Sequence, residues 1–338
     1  MDKLTIDIAD ESAPVVAAID LGTNSCRLLV AKISKSGFHV VDSFSRVVRL
    51  GETIEVSNKL TDDAIDRAVE ALKICNNKVK NNNVLRIRAV TTEACRRAHN
   101  AIELIKRVQS EIGLDMEVIT SEEEARLALS GCSGVLNPRF PYAITFDIGG
   151  GSTEVMWLKL KNNKEADGRP GVEVIDWLSM PFGVVTISET YGSHVTSARV
   201  YNGIRKKVLG KLREFSDKNN IGELVRKRQV QMVGTSGTVT TLAAIKLDLL
   251  IYDRRRIDGI ALRFKDIRRI SREIREMSPN TRVAHSCIGV GRSELVVAGS
   301  AILEGIIDAW NVGRLAVADR GVREGILMDM VRELRTNE

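Results

Sequence analysis

The chain has 338 residues, 43% of them hydrophobic and 4% aromatic, which is ample for two cores filled by aliphatic side chains. Fifty Lys and Arg against 44 Asp and Glu leave a net charge of +6, a sign that favours polyanionic partners. Five scattered cysteines without a CxxC pair, and four histidines without an HExxH pattern, speak against zinc and disulfide frameworks and for reduced thiols. A metal held through oxygen ligands stays open. No window reads as a membrane span, because the apolar stretch Leu295–Trp310 is broken by Glu304 and Asp308. The acidic start MDKLTIDIADESAP lacks the apolar run of a signal peptide, so a cytoplasmic protein with no membrane partner is expected.

In chain order, Val15–Asp20 and Cys26–Ile33 read as strands flanking a tight turn, and Phe38–Leu50 as a further strand. Thr61 caps a helix with Asp62 and Asp63 in its first turn and apolar positions Ile65, Ala68, Val69, Leu72, Cys75 and Val79 at helical spacing. Val84–Val90 is a strand leading into a polar turn at Thr91–Arg97, then a helix to about Ile112. Met116–Ile119 is a short strand before a helix opening near Ser121. Tyr142–Ile148 and Glu154–Leu160 form a second strand–turn–strand, and the polar segment Lys161–Gly171 reads as a loop. A helix from about Ser197, a strand Val230–Val233, a helix after Gly237, a long helix around Arg292–Trp310, a strand Leu315–Ala318 and a helix Val322–Leu334 complete an α/β alternation.

One internal repeat stands out. Superposing Asp20 on Asp147 also superposes Ser25 on Ser152, in IDLGTNSCRLLV and FDIGGGSTEVMWL. Two similar hairpins, one early in each half, predict a duplicated fold with a cleft between the copies. Glycine at Gly22 and at Gly149, Gly150 and Gly151 permits backbone angles that other residues resist, so successive N–H groups can converge on anionic oxygens. Thr23, Asn24, Ser25, Ser152 and Thr153 add side-chain donors. A third small-residue turn, Gly234–Thr238, precedes a helix whose N-terminus (Ser236, Gly237, Thr238) suits another phosphate. These are not Walker loops, since GxxxxGK[ST] is absent and each hairpin turn leads into a strand. Basic clusters at Arg205–Lys207, Arg226–Arg228, Arg254–Arg256 and Arg268–Arg269 each read, taken singly, as a solvated helix face. Charge alone fits nucleic acid, phospholipid or polyphosphate equally; no pattern marks a specific nucleic-acid partner.

The ordered motifs AIDLGTNSCRLLV, TTEACRRA, EEEARLA, FDIGGGSTEV, VGTSGTVTTLA, RSELVVAGSAIL and DRGVREGIL span about residues 15–330. In these the chain resembles the exopolyphosphatase/guanosine pentaphosphate phosphohydrolase family, within the superfamily of actin, Hsp70 chaperones and sugar kinases. The resemblance implies two duplicated actin-like (ribonuclease H-like) domains with a cleft between them. Domain I is expected at 1–125, with the C-terminal helix at about 318–338 packing back on it, and domain II at 126–317. The chain ends soon after DRGVREGIL, so the short two-domain form of the family is the expectation, with a homodimer left open.

The resemblance also implies a hydrolysis of phosphoanhydrides, with inorganic polyphosphate or guanosine pentaphosphate (pppGpp) as substrate. From pattern alone the run Glu122–Glu124 reads as helix capping, in the registers Ser121-x-x-Glu124 or Thr120-x-x-Glu123. The family's catalytic base is the glutamate directly before Ala-Arg, which is Glu124 here, with Glu123 as fallback. Arg96 in TTEACRRA corresponds to the family arginine that contacts phosphate, a task its planar fork suits; Arg97 is expected to face solvent. Carboxylates facing a polyphosphate repel it unless a cation intervenes, so Asp147, Asp20 and Glu154 are assigned to Mg2+. The basic clusters lean towards polyphosphate. A kinase of the same superfamily and a non-catalytic polyphosphate or nucleotide sensor are the readings from other classes.

Overall fold

The computed structural model describes residues 13–34, 37–164 and 170–336. The acidic N-terminal segment, apart from Ala13 and Pro14, lies outside the described residues. The first half is built from β1 (Val15–Leu21), β2 (Ser25–Ser34), β3 (Gly37–Val47), α1 (Ile54–Ser57), α2 (Asp62–Asn81), β4 (Arg86–Thr91), α3 (Glu93–Arg97), α4 (Ala101–Ile112) and β5 (Met116–Val118). Helix α5 (Ser121–Cys132) then leads to β6 (Tyr142–Ile148), β7 (Thr153–Lys164), β8 (Pro170–Met180), α6 (Val184–Tyr191), α7 (Ala198–Lys218), α8 (Ile221–Arg226) and β9 (Val230–Thr235). The remainder comprises α9 (Gly237–Lys246), α10 (Arg254–Ile257), β10 (Ala261–Arg263), α11 (Phe264–Glu276), α12 (Pro279–Ala284), α13 (Leu295–Ala309), β11 (Arg314–Ala318) and α14 (Val322–Thr336). Among the described residues no helix is long and apolar enough to cross a membrane.

Two sheets form, in the orders β3-β2-β1-β4-β5 and β10-β11-β9-β6-β7-β8. Each has a three-stranded antiparallel meander whose first strand pairs in parallel with a later one: β1 with β4, β6 with β9. The duplication read from two short motifs therefore extends to the sheet topology. Val16–Ile19 of β1 are fully buried, the mark of a strand covered on both faces. Helix α2 begins where its cap predicts, with the Thr61 hydroxyl accepting the Ala64 N–H at 3.2 Å.

Helix α5 joins the halves. Its Leu127 and Ala128 pack with Val16, Ala18 and Leu29 of the first sheet, while Ala125, Leu129 and Cys132 pack with Ala143, Met156 and Leu158 of the second. The last helix, α14, returns to the first sheet through Ile326, Leu327 and Met330. It crosses α5 at glycines: a Cβ on Gly325 would overlap the Leu127 carbonyl, and one on Gly131 the Gly321 carbonyl.

Some expectations need correction. The predicted loop Lys161–Gly171 is largely strand: β7 runs to Lys164 and β8 starts at Pro170, with Lys164 opposite Pro170 and 165–169 outside the described residues. Antiparallel pairing of Leu160 with Val172 and of Lys164 with Pro170 holds these segments extended despite their polar side chains. The turn assigned to Thr91–Arg97 contains the short helix α3. Strand β3 stops at Val47, before Leu50, because the Val48 and Arg49 N–H groups both turn to the Asn24 carbonyl, at 2.9 and 3.0 Å.

Candidate active site

The two hairpin turns are closed by the same bond. Gly22 N–H donates to Ser25 O at 3.0 Å and Gly149 N–H to Ser152 O at 2.9 Å. The glycines do not serve as anticipated: among the described residues the positive-φ glycines lie elsewhere, and none is in either turn. Their use is close approach. A Cβ on Gly150 would stand 2.8 Å from Thr23 Cβ, and one on Gly151 2.5 Å from Glu93 Cγ, so the second turn lies directly on the first half. The N–H groups of Thr23, Asn24, Gly150 and Gly151 have no backbone acceptor among the described residues, which leaves them for an anion.

Both turns border a cavity of about 410 Å3, with Ser236–Thr238 of the third turn, Arg292, and the residues leading into α14. Thr23, Asn24, Ser25, Gly149, Gly150, Gly151 and Ser152 line it, as do Ser236, Gly237 and Thr238. Thr153 does not. It is fully buried and its hydroxyl donates to Phe182 O at 2.5 Å. The Ser236 hydroxyl caps α9, accepting the Val239 N–H at 3.0 Å.

Asp20, Glu124 and Asp147 form the acidic side of the cavity. Burial pushes Asp147 up to about 7; Glu124 and Asp20 add to this and Arg27 opposes it. Burial likewise raises Asp20, and burial followed by the Glu154 charge raises Glu124. Neither Asp20 nor Asp147 accepts a hydrogen bond among the described residues, which fits a divalent cation carried by these carboxylates together with water and substrate oxygens. Glu154 differs from the grouping expected of it. Its Oε1 accepts from Ser152 Oγ at 2.5 Å and Ser179 Oγ at 3.0 Å, it is 4% exposed, and it stands behind the cavity wall. Among the described residues no three acidic, His or Cys side chains converge as a protein-only metal cage.

The helix-opening glutamates separate by direction. The Thr120 hydroxyl accepts the Glu123 N–H at 3.1 Å, so Thr120 is the cap. Glu123 points outward to Arg126 and Arg88, at 2.7 and 3.0 Å. Glu124 points into the cavity. Arg96, expected on phosphate, here holds Glu124: its Nη1 donates to Glu124 Oε2 at 2.8 Å and to Ile119 O at 2.9 Å, and its Nη2 to Glu93 Oε2 at 3.1 Å. Arg97 is not free in solvent but paired with Glu55.

Four cavity-lining arginines carry no role in the sequence analysis: Arg320, whose Nε donates to Asp258 at 2.8 Å, and three others. Arg27, Arg292 and Arg323 line the cavity, and Arg27 and Arg323 have no hydrogen-bonded partner among the described residues. Arg292 donates to Thr241 Oγ1 at 3.0 Å and stacks over Tyr252. The signals were present. Arg27 lies two residues past Ser25 on β2, hence on the same face, and opposite Asp20 in the register. Arg292 and Arg323 sit inside RSELVV and DRGVREG, which carried the resemblance without being given a chemical role. Of the basic clusters, Arg254 reaches the cavity, whereas Arg205 and Arg268 pair with Asp308, Lys227 with Glu223 and Arg269 with Glu273.

A model of the Ppx/GppA phosphatase family matches residues 29–334 of the chain. Exopolyphosphatase 2 of Mycobacterium tuberculosis is 27% identical over 329 residues, covering 93% of this chain and 98% of that protein. The bifunctional 3-dehydroquinate synthase/phosphatase of Fusobacterium nucleatum is 26% identical over 339 residues; the chain spans 46% of its length. The crystal structure of the Aquifex aeolicus Ppx/GppA family member superposes with a TM-score of 0.75 at 29% identity, covering 96% of this chain and 99% of that one.

Proposed function

The chain belongs to the Ppx/GppA phosphatase family and has its two-domain, actin-like α/β fold, and from that premise we propose that it is an exopolyphosphatase. It releases orthophosphate from the end of an inorganic polyphosphate chain by attack of a water activated by Glu124. One observation carries this reading: a single cavity presents the carboxylates Asp20, Glu124 and Asp147 beside the cations Arg27, Arg292 and Arg323. Phosphoanhydride hydrolysis needs a base for the water and positive charge for the phosphoryl oxygens, and little else from the protein.

Burial makes Glu124 a stronger base than an exposed glutamate, which suits proton abstraction near neutrality. Arg96 fixes the direction of that carboxylate through Nη1 and acts as a positioning residue. The unpaired turn N–H groups, Arg27 and Arg323 take the phosphate oxygens. Asp20 and Asp147 would hold Mg2+, which supplies charge neutralisation on the substrate when bound; Glu154, tied to Ser152 and Ser179, supports the second turn from behind.

A second reading, pppGpp as substrate, is favoured by one feature. A groove of about 830 Å3, lined by Leu29, Val40, Leu250, Ile251 and Tyr252, adjoins the cavity at Arg254. An apolar and aromatic wall suits a purine, for which bare polyphosphate has no use. The test is orthophosphate release with Mg2+ from long polyphosphate and from pppGpp, side by side. Glu124→Gln should lower kcat about 10³-fold on the true substrate. A folded Glu124→Gln chain retaining near-full hydrolysis would sink the assignment.

A further inference from the structure

The cationic side of the cavity contains an anion that the proposed chemistry does not use. Glu324, in the first turn of α14, is 2% exposed. Its Oε1 accepts from Arg254 Nη2 at 2.5 Å and its Oε2 from the Gly321 N–H at 2.9 Å. Burial works against its charge, but Arg323 and Arg254 hold the carboxyl below the usual range, so it is ionised. A buried negative charge next to a phosphate site weakens attraction for the substrate, so its presence needs a separate cause.

The surroundings supply one. Arg254 comes from the short α10 and Arg323 from α14, elements that are far apart in the chain. Two further carboxylates tie the same segments together: Arg320 Nε donates to Asp258 at 2.8 Å and Tyr252 OH to Asp319 at 2.6 Å. Asp258 also binds the Asp319 N–H, at 3.0 Å, but of the three Glu324 is the most buried and the one that ties Arg254 to the backbone of the turn leading into α14. It also sits between cations that repel one another, since Arg27 and Arg254 both disfavour the charge on Arg323.

We propose that Glu324 is a positioning residue for the anionic substrate: it fixes Arg254 against the α14 turn and sets the spacing of Arg254 and Arg323 for successive phosphates. The proposal rests on the phosphohydrolase reading for its substrate, and on the Arg254–Glu324–Gly321 contacts for its geometry. Position and charge predict opposite signs. Losing the negative charge alone would strengthen anion binding and lower KM, whereas losing the anchor raises KM because a freed arginine binds at an entropic cost.

The experiment compares Glu324→Gln with the unaltered chain on tripolyphosphate with Mg2+. KM is expected to rise about tenfold with kcat within about twofold. Arg254→Lys keeps the charge but not the fork, and should raise KM to a similar extent; it also carries the test if Glu324→Gln does not fold. Tripolyphosphate binding, measured by calorimetry in a Glu124→Gln background, should weaken by the same factor. That arm separates the two ideas: a chain that binds tripolyphosphate without hydrolysing it defeats the hydrolase reading and still tests Glu324. An unchanged or lower KM in Glu324→Gln, a wild-type KM in Arg254→Lys, or binding that does not weaken would each overturn the proposal.

Discussion

The two hairpins share a fold and a closing hydrogen bond, yet they carry opposite charges at one matched position. Opposite Asp20 in the register stands Arg27; opposite Asp147, at the equivalent place on β7, stands Glu154. The consequences diverge accordingly. In the first hairpin, Arg27 is a cation facing the cavity and pulls down the carboxyl of its Asp20 neighbour against the effect of burial. In the second, Glu154 turns away from the cavity onto two serine hydroxyls, and burial pushes its carboxyl up. After burial itself, the Glu154 charge also works to raise the Glu124 carboxyl. On the proposed function, one side chain in each copy makes the first hairpin an anchor for phosphate and the second a neighbour of the base.

This division can be broken. Arg27→Ala should give the largest effect among the hairpin variants, a KM raised roughly 10–100-fold with a much smaller change in kcat, from loss of a charge-assisted contact to phosphate. Steady-state kinetics on polyphosphate would check it, and a loss confined to kcat would mean that the first hairpin does chemistry as well. Gly150→Ala comes next. Its new methyl meets Thr23 Cβ at the point where the turns touch, so the rate of orthophosphate release should fall about tenfold, and an unchanged rate would mean that the turns can separate without cost. The smallest expected effect is that of Glu154→Gln. The amide can keep hydrogen bonds to Ser152 and Ser179 while removing a desolvated charge, so thermal melts without added metal should show the variant about 1 kcal/mol more stable at pH 8. Lower stability would assign the Glu154 charge a structural partner.

Much of the fold was legible because its signals are local. The caps and periodicity of α2, the strand pair β1–β2 and the strand β6 follow from neighbours a few residues apart, and the repeat of Asp-x-Gly was enough to predict duplicated halves. The ends of β7 and β8 read as loop from their polar and glycine/proline letters, whereas the pairing of Lys164 with Pro170 lies across the hairpin. Glu124 and Glu123 were indistinguishable as letters. Only the helix position of Thr120 as cap, and the burial of one side of α5 between two sheets, turns Glu124 inward and Glu123 towards Arg126.

The chain's letters were sufficient to identify two matched glycine-rich turns, the helix carrying the candidate base and the family resemblance, since each depends on short-range patterns. The assembly of the site was decided in three dimensions. Arg27, Arg292 and Arg323 line one cavity from opposite ends of the chain, Arg96 binds Glu124, and Glu154 turns onto two serine hydroxyls behind the wall. The glycines of the second turn matter for how closely another chain segment approaches, which no single-strand pattern encodes. Convergence of this kind is set by how sheets and helices pack, and packing is a property of residue pairs distant in sequence.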